Sequence, residues 1–213
     1  MTTVAWLGRA ALMLGGACAP RARPLPGAPA PASVRLPALG LASNRERVVF
    51  RWRYEEPGFR ARGDGAARVA PPDSARLDFF LDGGFGSGWA ALVGDELRTP
   101  QDDVARRLVP PAPLLWAALG RLAVPPPSDT TLRIINDTLR ADLTSPSGPT
   151  WRATVVGGTL VGLERVQSGR VVERLSRDGA SVRYDDVVGR RTLVIDVQRR
   201  GPADVFPATI WSR

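Results

Sequence analysis

The chain contains no histidine, and because all 29 of its basic residues are arginines it contains no lysine either. Its single cysteine, Cys18, stands well before the patterned part of the sequence, and only 7% of residues are aromatic. These absences exclude Ser-His-Asp and Cys-His nucleophiles, Schiff-base lysines, the phosphate-binding lysine of a P-loop, and zinc held by His or Cys. Any catalysis would have to run on carboxylates. The neighbouring pairs Asp102–Asp103 and Asp185–Asp186 send their side chains apart, so only a pair assembled across strands could serve. The expectation is therefore a protein that binds, carries or scaffolds, not an enzyme, with no catalytic residue, metal or cofactor.

What is present fits one domain. The chain has 213 residues, 44% of them hydrophobic, and a net charge of +8. A chain of this length buries on the order of 70% of its surface on folding, enough to stand without disulfides. The arginines alternate along candidate strands and interleave with acids, as in Arg140-Ala141-Asp142, instead of gathering into a stripe. Nucleic acid is therefore not an expected partner. The surplus positive charge suits a position near anionic lipid headgroups.

Residues 1–17 carry one base, Arg9, and no acid, and an apolar run from Ala10 to Ala17 ends at Cys18. This run is far shorter than the ~20 apolar residues a spanning helix needs, and it reads as a secretory signal peptide. Leu14-Gly15-Gly16-Ala17-Cys18 resembles a lipobox, in which small residues precede a cysteine that is acylated and becomes the new first residue. It departs from that pattern at Gly15, where a large aliphatic residue is usual, and a plain signal peptide with an incidental cysteine is the alternative. Residues 18–41 shift to Pro, Ala and Arg with little periodicity and read as a stiff tether, extended at ~3.1 Å per residue.

From residue 42 to 213 the dominant pattern is period-2 alternation. Val48, Phe50, Trp52 and Tyr54 fall on one face with Arg47, Arg51 and Arg53 on the other, and Leu77, Phe79 and Leu81 alternate with Arg76 and Asp78 in the same way. Leu139-Ala141-Leu143 and Leu193-Ile195-Val197 repeat the rule. Turn pairs such as Pro57-Gly58, Asn136-Asp137, Gly157-Gly158 and Ser168-Gly169 punctuate the strands, predicting about eleven or twelve of them joined by hairpins. Gln101–Leu122 is the exception. It predicts one short helix over Asp102–Arg107 and a second opened by Pro113 and carrying Leu114, Leu115 and Trp116. The fold class is thus mainly β with a helical element, an antiparallel sheet long enough to curl into an open half-barrel over a short central helical lid.

Two motifs carry little chemistry. Gly83-Gly84-Phe85-Gly86-Ser87-Gly88 is glycine-rich, but a strand-like Trp89-Ala90-Ala91-Leu92-Val93 follows it where a phosphate loop would open a helix. Its Phe85 is either tucked against the sheet edge or exposed where it can enter lipid. Ser74 has no base to activate it and reads as a turn residue.

Phe50-Arg51-Trp52-Arg53-Tyr54, the Arg62-Gly63 to Arg68-Val69 stretch and Pro71-Pro72-Asp73-Ser74-Ala75-Arg76-Leu77-Asp78 together resemble envelope lipoproteins of the LolA/LolB superfamily, in a divergent branch. The resemblance covers about residues 42–213 and rests on the order of parts, since no motif in it is as specific as a metal-ligand cluster. It implies an unclosed barrel of about eleven strands over a helical lid, with an apolar cavity for acyl chains of lipids or lipoproteins. In the membrane-anchored receptor branch a loop between the third and fourth strands inserts a hydrophobic residue into the membrane, and here that residue is Phe85. No arginine here matches the one that gates the soluble carrier's cavity. The resemblance further implies an outer-membrane lipoprotein on the periplasmic face, anchored through Cys18, monomeric, and with a soluble periplasmic carrier as a candidate partner. The expected cavity lining is Phe50, Trp52, Tyr54, Leu77, Phe79, Leu81, Trp89, Leu114, Leu115 and Trp116. The same residues could instead be ordinary core, which would make the protein a structural or adaptor lipoprotein with a filled interior.

Overall fold

The structure is a computed structural model in which residues 19–84, 86–100 and 107–211 are described. The signal peptide, Cys18, Phe85 and all of the first expected helix except Arg107 lie outside those residues.

Among the described residues, thirteen strands form one antiparallel sheet that does not close. The short β1 (Ala28–Pro29) is followed by a first limb of β2 (Glu46–Glu56), β3 (Phe59–Ala70), β4 (Ser74–Leu81), β5 (Ser87–Val93) and β6 (Glu96–Arg98). The second limb is β7 (Asp129–Ile135), β8 (Thr138–Thr144), β9 (Thr150–Val156), β10 (Thr159–Gln167), β11 (Arg170–Asp178), β12 (Ser181–Asp186) and β13 (Arg191–Pro202). Within each limb every strand pairs with the next, as hairpin connections dictate, and β13 pairs with β2 to join the limbs. The edges are β6 and the two-residue β1 laid on β7. These two short strands have too few residues to show a period, and they account for the count exceeding the expected eleven or twelve.

Alternation works as expected on the long strands. β2 buries Val48, Phe50, Trp52 and Tyr54 and leaves Arg47, Arg51 and Arg53 exposed. Opposite this aromatic row β3 places Gly63 and Gly65. A Cβ on Gly65 would collide with the Phe50 ring, so Gly65 lets that ring lie across the neighbouring strand, and one on Gly63 would collide with the Phe80 carbonyl, so Gly63 allows the close approach of β4. Phe79 meets Phe50 and Trp52 edge-on, with centroids 5.6 and 5.8 Å apart, and the Trp52 indole N–H donates to the Asp64 carbonyl at 3.0 Å.

Among the described residues the connection between the limbs is helical at Arg107–Leu108 and carries α1 (Ala112–Ala118), with proline in its first turn. It ends as a Schellman turn: Gly120 has φ +95°, its N–H donates to the Ala117 carbonyl, and the Arg121 N–H donates to the Trp116 carbonyl. Leu114, Leu115, Trp116 and Ala117 are fully buried, α1 packs on β10 and β11, and the Trp116 indole donates to the Gly94 carbonyl of the β5–β6 turn at 2.8 Å. The helix thus bridges the two limbs across the concave face.

The segment from Ala19 to Leu41 was expected to be a tether, and the structure lays it along the sheet. Arg21 bridges to Arg170, the Ala22 N–H donates to Gly169, and the Arg23 carbonyl accepts from Arg152 at 2.7 Å. The chain then pairs along the β7 edge and brings Leu36, Leu39 and Leu41 against the core, where the Leu39 carbonyl accepts from Leu122. A proline-rich chain keeps its carbonyls while losing N–H donors, so it can cover an edge without offering a new one.

Candidate functional site

Register aligns the inward side chains into rows that run across the sheet. One row holds Arg177, Val182, Ile195, Trp52, Gly63 and Leu81, and the next towards one end holds Leu175, Tyr184, Leu193, Tyr54 and Ala61. Towards the other end follow Val197, Phe50, Gly65 and Phe79, then Val48, Ala67, Leu77 and Ala90.

The two ends of this trough differ chemically. At the first, Tyr184 donates to Glu173 at 2.6 Å, Arg165 pairs with the other Glu173 oxygen at 2.7 Å, Tyr54 donates to Glu56 at 2.9 Å, and Arg191 pairs with Asp186 at 3.0 Å. Burial, and then the hydrogen bond to Glu56, push the Tyr54 hydroxyl up to about 12. Burial and Glu173 likewise raise that of Tyr184. The polar groups at this end are paired, and a groove bordered by Tyr54, Phe59, Ala61 and Leu81 lies beside them.

The second end holds a cavity of about 350 Å³. Val48, Phe50, Ala67 and Leu77 form its first-limb wall, Val182, Ile195 and Val197 its second-limb wall, and Ala118 and Leu119 at the end of α1 its roof. Gly179 and Ala180 of the β11–β12 turn, with Arg177 and Arg200, complete the lining. Small-molecule sites run from ~300 to 1,000 Å³, so this one is at the small end.

Of the ten residues expected to line a cavity, Phe50 and Leu77 line this one, while Tyr54 and Leu81 border a groove at the first end and Trp52 another beside Arg51, Arg53 and Asp64. Trp52, Tyr54, Phe79, Leu114, Leu115 and Trp116 lie on the concave side but are packed into the core, each 2% exposed or less, and Leu81 sits half-buried at the end of Trp52's row. Trp89 is a correction. It pairs with Asp78, not with inward Leu77, so it lies on the convex face, where the Arg76 guanidinium stacks 4.6 Å from its ring centroid. Arg177 and Arg200 were missed. Val171-Glu173-Leu175-Arg177 is an inward face with two charges in it, and that signal was readable in the β11 alternation.

No protein-family model matches the sequence, and no curated protein does. The likeness lies in the fold. A LolA superfamily protein from Nitrosomonas europaea superposes with a TM-score of 0.51 at 11% identity, over 80% of this chain and 91% of that one. A DUF1329 family protein from Desulfovibrio piger gives 0.48 at 9% identity over 79% and 90% of the two chains. An outer membrane lipoprotein-sorting protein domain from Vibrio parahaemolyticus gives 0.44 at 6% over 80% and 90%.

Proposed function

We propose that this protein is a non-catalytic carrier of the bacterial envelope that shelters an acyl chain, from a lipid or a lipoprotein, in the cavity between β2–β4, β12–β13 and the end of α1. One observation carries the reading: an apolar cavity, open at one end of the trough, on a LolA-like fold. An acyl chain would enter because burial removes it from water at roughly 25 cal/mol per Å², and would leave because a bilayer offers the same gain. Binding and release would therefore turn on small differences, as transfer requires. In this reading Cys18 is acylated and holds the protein to the periplasmic face of the outer membrane, and Phe85 enters the bilayer during delivery. No described helix is long and apolar enough to cross a membrane.

A second reading, an adaptor whose interior is filled by its own residues, is favoured by the complete burial of Leu114, Leu115 and Trp116 across the middle of the trough. Uptake of a fluorescent fatty acid by the purified protein separates the two. The carrier reading expects saturable uptake that falls at least tenfold in Ala180→Trp, which blocks the mouth from a turn. No uptake, or uptake indifferent to that substitution, favours the adaptor.

A further inference from the structure

The cavity is apolar except for two guanidinium groups, and one of them is poorly satisfied. Arg177 projects from the concave face of β11, in the row of Val182 and Ile195. Its Nη1 donates to the Leu160 carbonyl at 2.9 Å, its buried Nε has no hydrogen-bond partner, and no carboxylate among the described residues pairs with it. A guanidinium carries five N–H donors, so most of this one's capacity is unspent. Arg200, itself nearly half exposed, lines the same cavity from β13 and shares its charge with the mostly buried Glu46 at 2.9 Å. Burial, and after it the Arg200 charge, disfavour the protonated form of Arg177, so the cavity holds its two guanidinium groups at a cost. The surroundings accommodate that arrangement. Gly120, just past α1, lacks the Cβ that would stand 3.0 Å from Arg177 Nη1.

An anion between the two arginines would offset their repulsion and use the free donors, in a low-dielectric setting where such hydrogen bonds are strong. We propose that the cavity takes a single-chain anionic amphiphile, its carboxylate or phosphate held by Arg177 and Arg200 and its chain lying against Val48, Phe50, Leu77 and Ile195. This rests on the carrier reading and specifies its ligand. Volume agrees with one chain. At roughly 30 Å³ for a water-sized group, a cavity of about 350 Å³ admits about a dozen such groups, well short of the several chains of a mature lipoprotein.

Binding of four probes to the purified protein tests this: dodecanoate and lauroyl-lysophosphatidylglycerol, which are anionic, and dodecanol and methyl dodecanoate, which are not. The proposal expects at least one anionic probe to bind about tenfold or more tightly than both neutral ones, with Arg177→Met removing most of that advantage. Arg200→Gln, at a more exposed position, should give a smaller loss in the same direction and guards against a folding defect in the first variant. Preference for dodecanoate alone points to free fatty acids, and preference for the lysolipid alone to phospholipid. Equal binding of charged and neutral probes overturns the headgroup inference while the chain-carrier reading stands. Failure of every probe to bind overturns both.

Discussion

Tyr54 carries a prediction for single residues at the tyrosine end of the trough, the protein's response to alkali. Its hydroxyl is buried and bonded to Glu56, which holds its pKa at about 12 against an ordinary value near 10. A folded pKa above the unfolded one contributes stability that is complete below about pH 10 and is lost as pH rises towards 12. Thermal unfolding followed from pH 8 to 11.5 should therefore show the midpoint falling from about pH 10 upward, more shallowly in Tyr54→Phe, with a ceiling of about 1.4 kcal/mol per pH unit for each protected tyrosine. Tyr184, raised in the same way by burial and Glu173, adds to the wild-type slope, so Tyr54→Phe should retain part of it. The same scale explains the misplaced Trp89. Its strand, Trp89-Ala90-Ala91-Leu92-Val93, is apolar on both faces, because the convex side of Ala91 is itself fully buried, near a 3-10 turn at Ala208–Trp211 that is tied to Arg76 and Arg98. With no polar residue to set the parity, sequence cannot say which way Trp89 points, and the Asp78 pairing decides it.

At the scale of elements, the long strands were legible and the segment that wraps them was not. The alternating faces of β2, β4, β8 and β13, and the proline-opened α1, follow from period and turn chemistry alone. Residues 19–41 have no period, and nothing in their composition announces Arg152 as their partner. Yet Arg152 is 8% exposed, forks onto Asp142 at 2.8 and 2.9 Å, and gives its remaining nitrogen to the Arg23 carbonyl. Removing that side chain leaves Asp142 without its partner and frees the segment. Arg152→Ala should cost about 3 kcal/mol in urea unfolding and make residues 19–30 exchange amide hydrogens and admit protease well before the strands do. If the segment stays as protected as in the wild type, edge pairing by Ala28–Pro29 is what holds it.

Across the whole molecule, the hairpins put two sets of turns at opposite ends of the sheet. The β2–β3, β4–β5, β10–β11 and β12–β13 turns share one end with the tyrosine network, and the β11–β12 turn borders the cavity at the other. Ala19, the first described residue, lies at the β10–β11 turn, where its carbonyl accepts from Arg170 at 2.8 Å. Exposed Phe59 and Val188 stand at the same end, as does the loop that carries Phe85 in sequence. In the carrier reading this end meets the membrane through the anchor and the loop, while the cavity mouth lies at the opposite end. Phe85→Glu should then reduce binding to anionic vesicles by about tenfold while leaving fatty-acid uptake intact, since a carboxylate at a bilayer surface is repelled and cannot be buried. Vesicle binding indifferent to that charge would remove the loop from the delivery step.

Sequence by itself determined the strand-rich class and most inward faces, because residue type and period act locally. Tertiary structure decided how much of the concave side stays hollow, since α1 and the aromatic rows fill the middle and leave about 350 Å³ at one end. It also decided that Arg177 and Arg200, 23 positions apart in the chain, line the same space. Cavities and charge pairs of that kind are set by register between distant strands, and no stretch of sequence read alone contains that information.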